Sequence, residues 1–324
     1  MRALVTGAGG FVGAKLCEYL LAHTDWEVVG TVYPQPAPAA QPEGRLRLVW
    51  ADLREPQAVT RLIEETQPEA VFHLAAQAAV AASYEDPWET LETNVRSQLN
   101  LLEALRRAPR PATVLVVGSG EEYGAPRPEE LPLTEEAPLR PGTPYAVSKV
   151  AQDLLGLQYY LSYQLPVVRV RPFNHTGPGQ SERFVVPAFA AQVARIAAHM
   201  QEPVIYVGNL DAVRDFTDVR DIVRAYHLAV TQGEPGEVYN LASGEPHAIR
   251  EVLEALVAYA GIHVELKRDP ERYRPLDVPV VYGSAEKFRR RTGWRPRIGF
   301  AETLRDTLLY WIEQYRDTAS LRGG

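Results

Sequence analysis

The chain of 324 residues holds a single cysteine, Cys17, and only four lysines, at positions 15, 149, 267 and 287. One cysteine excludes an internal disulfide framework and any cysteine-rich zinc site. Within an apolar helical pattern it reads as a small buried side chain. The seven histidines never fall at a ligand spacing such as His-Glu-x-x-His, so no metal is expected. Positive charge is scarce as well. The 34 basic residues against 41 acidic ones leave a net charge of −7, which argues against nucleic acid as partner, although a local arginine cluster can still hold an anion. The longest mostly apolar run, AVFHLAAQAAVAA (70–82), carries His73 and Gln77 and is too short to cross a bilayer, so no membrane partner is expected. MRALVTG runs directly into a strand pattern with no signal-peptide layout, and a cytoplasmic setting follows as the expectation. No internal repeat or low-complexity tract occurs.

What is present is an alternation of strands and helices. RALVTG (2–7), WEVVGTV (26–32), RLRLVWADL (45–53), PEAVFHLAA (68–76), ATVLVVGS (112–119) and LPVVRVRPF (165–173) read as strands. Helical spacing marks GFVGAKLCEYLLAH, PQAVTRLIEET, a single long helix over 87–107, and about 144–163. Strand and helix repeated in this way predict an α/β fold, a Rossmann-type doubly wound parallel sheet. The boundaries expected are a cofactor-binding domain over 1–172, to which about 213–242 return, and a smaller substrate lobe over most of 173–324. Two proline-rich stretches, 33–44 and 125–144, read as surface loops.

TGAGGFVG follows the first strand and opens a helix, the setting a dinucleotide loop requires. Gly7 permits the tight turn, Gly10 a close approach of backbone to pyrophosphate, and Gly13 close packing of helix on sheet. Phe11 and Val12 start the helix, whose N-terminus favours negative charge. Asp52 and Leu53, and then Leu74, Ala75 and Ala76, fall at strand carboxyl ends, where such a crevice lies. The second strand ends in WEVVGTVYPQ, without the acid that usually meets the adenosine ribose. That absence permits NADP, with NAD also compatible. Thr31 is a candidate donor to a 2′-phosphate, and no arginine stands near it in sequence. The competing reading of the motif is a glycine-rich turn with no ligand.

Tyr145-Ala-Val-Ser-Lys149 is a second motif; with four lysines and sixteen tyrosines such a pair arises by chance only about 0.2 times. On a helix the two share a face, and an ammonium beside a phenol lowers the phenol's pKa toward that of a working proton donor. Ser119, in GSGEEYG (118–124), supplies a hydroxyl for a carbonyl oxygen. The competing reading is a solvated helix face.

TGAGGFVG, ADL, HLAA, Ser119, Tyr145-x-x-x-Lys149 and RPFN, in this order, resemble the extended short-chain dehydrogenase/reductase family over nearly the whole chain. RPFNHTGPGQ (171–180), VGNLDAVRDFTDVRDIV (207–223) and RPLDVPVVYGSAEKFRRRTGWRPRI (274–298) resemble its GDP-sugar branch, which holds GDP-mannose 4,6-dehydratase and GDP-4-dehydro-6-deoxy-D-mannose reductase. The resemblance implies a GDP-sugar substrate and a homodimer joined by two helices per subunit, 86–107 and 144–163. It places Pro172 and Phe173 near the nicotinamide and Tyr145 and Lys149 against both cofactor and substrate. It assigns Ser83, Asn174, Val185, Asn209, Arg214, Arg274 and Asp277 to the substrate, with the two arginines neutralising its diphosphate; a surface ion pair is the competing reading of each. His175 reads as a packed loop residue.

Glu121 is placed as the C5 base of a dehydratase, yet an acidic pair before Tyr-Gly is also a feature of the reductases. The short loop GQSERF (179–184), Val186-Pro187-Ala188 in place of basic residues, VRDFTDVRD without tryptophan, and a second strand lacking an arginine pair favour the reductase. The expectation is therefore NADPH-dependent reduction of a 4-keto GDP-sugar, with Glu121 as a sugar contact. Dehydratase, epimerase and a non-enzymatic NADP sensor are the alternatives, and a sensor has no need of both Tyr145 and Lys149.

Overall fold

The computed structural model describes residues 1–34, 44–270 and 278–320. Strands β1 (Arg2–Thr6), β2 (Glu27–Val32), β3 (Leu46–Trp50), β4 (Ala70–His73), β5 (Thr113–Val117) and β6 (Val167–Pro172) open the chain; β7 (Asn174–Thr176), β8 (Val204–Val207), β9 (Val213–Asp218), β10 (Val238–Leu241), β11 (Pro246–Ala248), β12 (Glu265–Arg268) and β13 (Val280–Val281) follow. Seven of them form one sheet in the order β10-β6-β5-β4-β1-β2-β3, with every pairing parallel. The winding reverses between β1 and β4, which opens a crevice at their carboxyl ends. Strands buried on both faces need apolar side chains on both, and β1, β4 and β5 supply them.

The helices are α1 (Phe11–His23), α2 (Pro56–Thr66), α3 (Val80–Glu85), α4 (Pro87–Leu91), α5 (Ser97–Arg107), α6 (Pro144–Tyr163), α7 (Val185–Ala197), α8 (Val219–Gln232), α9 (Ile249–Ala260), α10 (Glu286–Thr292) and α11 (Phe300–Ser320). One core lies on the sheet face covered by α1 and α8, with Trp26, Tyr226 and Phe288. Another packs α2 and α5 on the opposite face. A third lies among α7, α9 and α11, and a separate small sheet is arranged around β9.

The long helix expected over 87–107 is interrupted. A π-turn, Glu92–Arg96, separates α4 from α5 and turns Asn94 fully inward. There its side chain accepts from the Gln77 backbone at 2.7 Å and donates to the Gln77 carbonyl at 3.1 Å and to Ser148 Oγ on α6 at 2.9 Å. A polar side chain forced into the core needs such partners, and the wider turn supplies the aim.

Candidate active site

The crevice is walled first by the glycine loop. Gly7 has φ +71°, and a Cβ there would lie 3.0 Å from the Ala75 backbone across the β1–β4 gap. At Gly13 a Cβ would fall 2.1 Å from the Gly7 carbonyl oxygen. Gly10 caps α1 without any side-chain hydrogen bond, so the first amides of the helix, at Phe11 and Val12, remain for an anion. These features fit a pyrophosphate.

Thr6 Oγ accepts from the amides of Leu74 and Ala75 at 3.0 and 3.1 Å, which fixes the start of the segment through Ala76. Its own proton then goes to His73 Nδ1, 3.0 Å away. His73 is buried, and burial holds it down at about 3, so it is neutral with its proton on Nε2.

At the adenosine end, Thr31 is buried and its hydroxyl accepts from Gly7 N at 3.1 Å, so it supports the glycine loop. The fold brings an arginine there that the local sequence lacked. Arg54 forks onto Asp52, the nearest contact being 2.8 Å, and donates to the Tyr33 hydroxyl at 2.6 Å. Its hydrogen bonds hold the Asp52 carboxyl below its usual range. Leu53 is buried beside it.

The reacting end gathers Ser119, Tyr145 and Lys149, exposed by only 9, 9 and 5%, at the carboxyl ends of β5 and β6. Tyr145 enters on the first turn of α6, capped by Thr143 and started by Pro144. Its hydroxyl lies near Ser119, which lowers the phenol's pKa, and Ser119 Oγ accepts from Glu121 N at 3.1 Å. Lys149 Nζ donates to the Val117 carbonyl at 2.9 Å and lies 5.8 Å from the centroid of the Tyr145 ring. Here too the expectation shifts. Burial pushes the Tyr145 phenol up, Ser119 lowers it, and Glu121 and Glu122 raise it further. Burial also lowers Lys149 to about 8. With protein groups alone, the pair is tuned by burial more than by mutual attraction.

Pro172 closes β6, and buried Phe173 lies between two loops. A Cβ on Gly120 would approach its ring at 3.1 Å and one on Gly283 at 2.3 Å. Asn174 opens β7, and the Val185 side chain is 38% exposed at the start of α7. Asn209 accepts from Asp211 N, and Arg214 on β9 donates to the Val213 carbonyl at 2.8 Å. Ser83 is fully buried and donates to the Val80 carbonyl, so its hydroxyl is already engaged. His175 is bonded to the Phe173 carbonyl, and burial lowers its pKa. Arg274 and Asp277 lie outside the described residues. Among the described residues no cluster of His, Cys, Asp or Glu could hold a metal.

Sequence reasoning missed the layer beneath. Glu122 is fully buried and accepts from Ser119 N at 2.8 Å, while Arg171 Nε stands 3.0 Å from its other oxygen. Arg171 also pairs with Asp153 on α6 and donates to Tyr123 Oη at 3.0 Å; Arg169 reaches Asp153 at 3.0 Å. The signal was available in VVRVRP, where two arginines alternate within a strand buried at every position.

A parallel sheet in this order, a glycine loop at its switch point and a Ser-Tyr-Lys group beside it define an extended short-chain dehydrogenase/reductase. The profile of the GDP-mannose 4,6-dehydratase family matches residues 4–307, and the chain belongs to that family. It is 39% identical to the GDP-6-deoxy-D-mannose reductase of Pseudomonas aeruginosa, over 98% of this chain and 99% of that protein. It is 31% identical to GDP-mannose 4,6 dehydratase 1 of Arabidopsis thaliana, over 94% and 87%. Among solved structures, that of RMD from Pseudomonas aeruginosa complexed with NADPH superposes with a TM-score of 0.85 at 38% identity, covering 97 and 99% of the two chains. A Thermus thermophilus UDP-glucose 4-epimerase complexed with NAD gives 0.83 at 34%, over 96 and 99%.

Proposed function

We propose that this chain reduces the 4-keto group of GDP-4-dehydro-6-deoxy-D-mannose, using NADPH. The observation that carries the reading is the Ser119–Tyr145–Lys149 group beside an uncapped glycine-loop helix, in a chain that matches the Pseudomonas aeruginosa reductase almost end to end. Residues 1–172, with about 213–242, hold the cofactor in this reading, and the rest of the chain holds most of the sugar nucleotide. The bound cofactor supplies hydride to C4 of the sugar. Tyr145 delivers a proton to the C4 oxygen, Ser119 holds that oxygen, and Lys149 orients the nicotinamide ribose while keeping a positive charge beside the phenol. Proton delivery of this kind contributes about 10²–10⁴-fold in rate. Glu121, partly exposed, contacts the sugar, and Arg214 and Asn209 serve its nucleotide end together with Arg274 and Asp277.

The test is to incubate the pure protein separately with GDP-mannose and with the 4-keto sugar plus NADPH, following NADPH absorbance and the sugar products. NADPH consumption with the keto-sugar alone supports the reading. Water elimination from GDP-mannose would replace it by the dehydratase.

We also propose a homodimer built on α4, α5 and α6. These helices expose Trp88, Leu99, Val147, Leu154 and Leu161 together, with Leu161 64% exposed, and an apolar group of this kind marks an interface. Light scattering of the wild type and of Leu161→Asp tests it: a dimer is expected in the first and dissociation in the second. No helix among the described residues is long and apolar enough to cross a membrane. Cys17 is free and buried, which suits the cytoplasm.

A further inference from the structure

The acidic pair of GSGEEYG divides: Glu121 is partly exposed, whereas Glu122 is sealed beneath the serine. Its carboxylate has a made-to-measure seat. A Cβ on Gly118 would lie 2.1 Å from Glu122 Oε1, so the missing side chain at 118 is the space the carboxylate occupies. Oε1 accepts from Ser119 N at 2.8 Å, and Glu122 N donates back to the Ser119 carbonyl at 3.1 Å. The other oxygen faces Arg171 Nε at 3.0 Å, and Arg171 continues to Asp153, one helical turn beyond Lys149 and two beyond Tyr145 on α6. The chain Ser119–Glu122–Arg171–Asp153 therefore ties the serine turn to the tyrosine helix through β6.

We propose that Glu122 is a positioning residue for the reaction: seated on Gly118, it holds Ser119 by its backbone and, through Arg171 and Asp153, sets where Ser119 stands relative to Tyr145 and Lys149. This rests on the oxidoreductase reading above. One oxygen accepts from the Ser119 amide, and the other stands 3.0 Å from Arg171 Nε as an ion-pair contact without hydrogen-bond geometry. Burial first and Asp153 second raise its pKa, to about 8, against the lowering by Arg171, the Ser119 amide and Lys149, so its anion is complete only above that pH. In turn Glu122 raises the pKa of Lys149, against the burial that lowers it. The charged and titratable groups facing this cluster are His73 from β4, Glu121, Glu122 and Tyr123 from the serine turn, Arg169 and Arg171 from β6, Tyr145, Lys149 and Asp153 from α6, and Tyr226 from α8. Removing the Glu122 anion makes Lys149 lose its proton at lower pH.

The experiment compares wild type with Glu122→Gln, which keeps an oxygen for Ser119 N and removes the charge. At neutral pH we expect NADPH affinity and keto-sugar KM within about threefold of wild type, and kcat lower by about tenfold or more. The alkaline midpoint should move down by about half a pH unit or more, both in kcat and in NADPH affinity measured by fluorescence titration. An unmoved midpoint in both would overturn the proposal, because a residue that merely supports the fold leaves it in place. If the wild type does not reduce the keto-sugar, the functional reading fails, and the NADPH titration still decides on Glu122. If Glu122→Gln does not fold, Gly118→Ala displaces the carboxylate without removing its charge. Lower kcat with unchanged NADPH affinity is then the supporting result, and unchanged kcat overturns the proposal.

Discussion

Lys149 Nζ donates a hydrogen bond to the Val117 carbonyl, 2.9 Å away at the end of β5, so the cation of the active site is anchored to the sheet. Burial has already lowered its pKa from 10.5 to about 8. Its charge is complete well below that value and disappears as pH rises through it. For a reduction that uses charged Lys149, kcat at saturating cofactor and substrate should fall as pH climbs through about 8. A plateau persisting to about pH 10, where an ordinary lysine titrates, would detach Lys149 from the alkaline limb.

Tyr145 is held up by burial beside Ser119, so it enters the reaction as a protonated phenol. Tyr145→Phe should lower kcat by about 100-fold or more while NADPH binds within about threefold of wild type. Stopped-flow reduction and a fluorescence titration separate the two quantities. Turnover equal to that of the wild type would remove Tyr145 as the acid.

Glu121 is partly exposed beside the serine turn, and a reductase never removes the C5 proton. Glu121→Gln should cost about tenfold or less in keto reduction, the equivalent of one charge-assisted hydrogen bond at about 1.5 kcal/mol. Product made in D₂O should carry no enzyme-dependent deuterium at C5. Labelling at C5 that vanishes in the variant would make Glu121 a base.

Thr31 supports the glycine loop through Gly7 N. Thr31→Val leaves that buried amide without its partner, at a cost of about 1–3 kcal/mol. NADPH and NADH affinities should therefore weaken together, leaving their ratio unchanged, as calorimetric titration of each cofactor would read. Selective loss of NADPH would return Thr31 to the phosphate.

The parallel sheet was legible because β-branched runs and amphipathic helices alternate with periods that local chemistry imposes. Gly7, Gly13 and the Tyr145–Lys149 pair were legible because each sits at a spacing within one turn or one helix. What escaped was made by distance. Arg54 reaches Tyr33 across 21 positions, and Arg171 on β6 reaches Glu122 in the serine turn, so neither partnership has a local period. The π-turn at Asn94 escaped for another reason: 87–107 reads as unbroken helix, and only the need to satisfy Gln77 and Ser148 turns that side chain inward. The contact of Thr31 with Gly7 N, across 24 positions, has no local period either.

Phe173 stands between Gly120 and Gly283, two positions far apart in the chain that meet opposite sides of one ring. A methyl group at either place presses on that ring, and through it on the other loop. Substitutions at the two positions are therefore coupled through the ring. A larger residue at 283, in the carboxy-terminal part of the chain, becomes tolerable only after the aromatic at 173 has shrunk, and that exchange loosens the packing against Gly120, next to Ser119. Variation in one half of the chain is thereby filtered by the chemistry of the other.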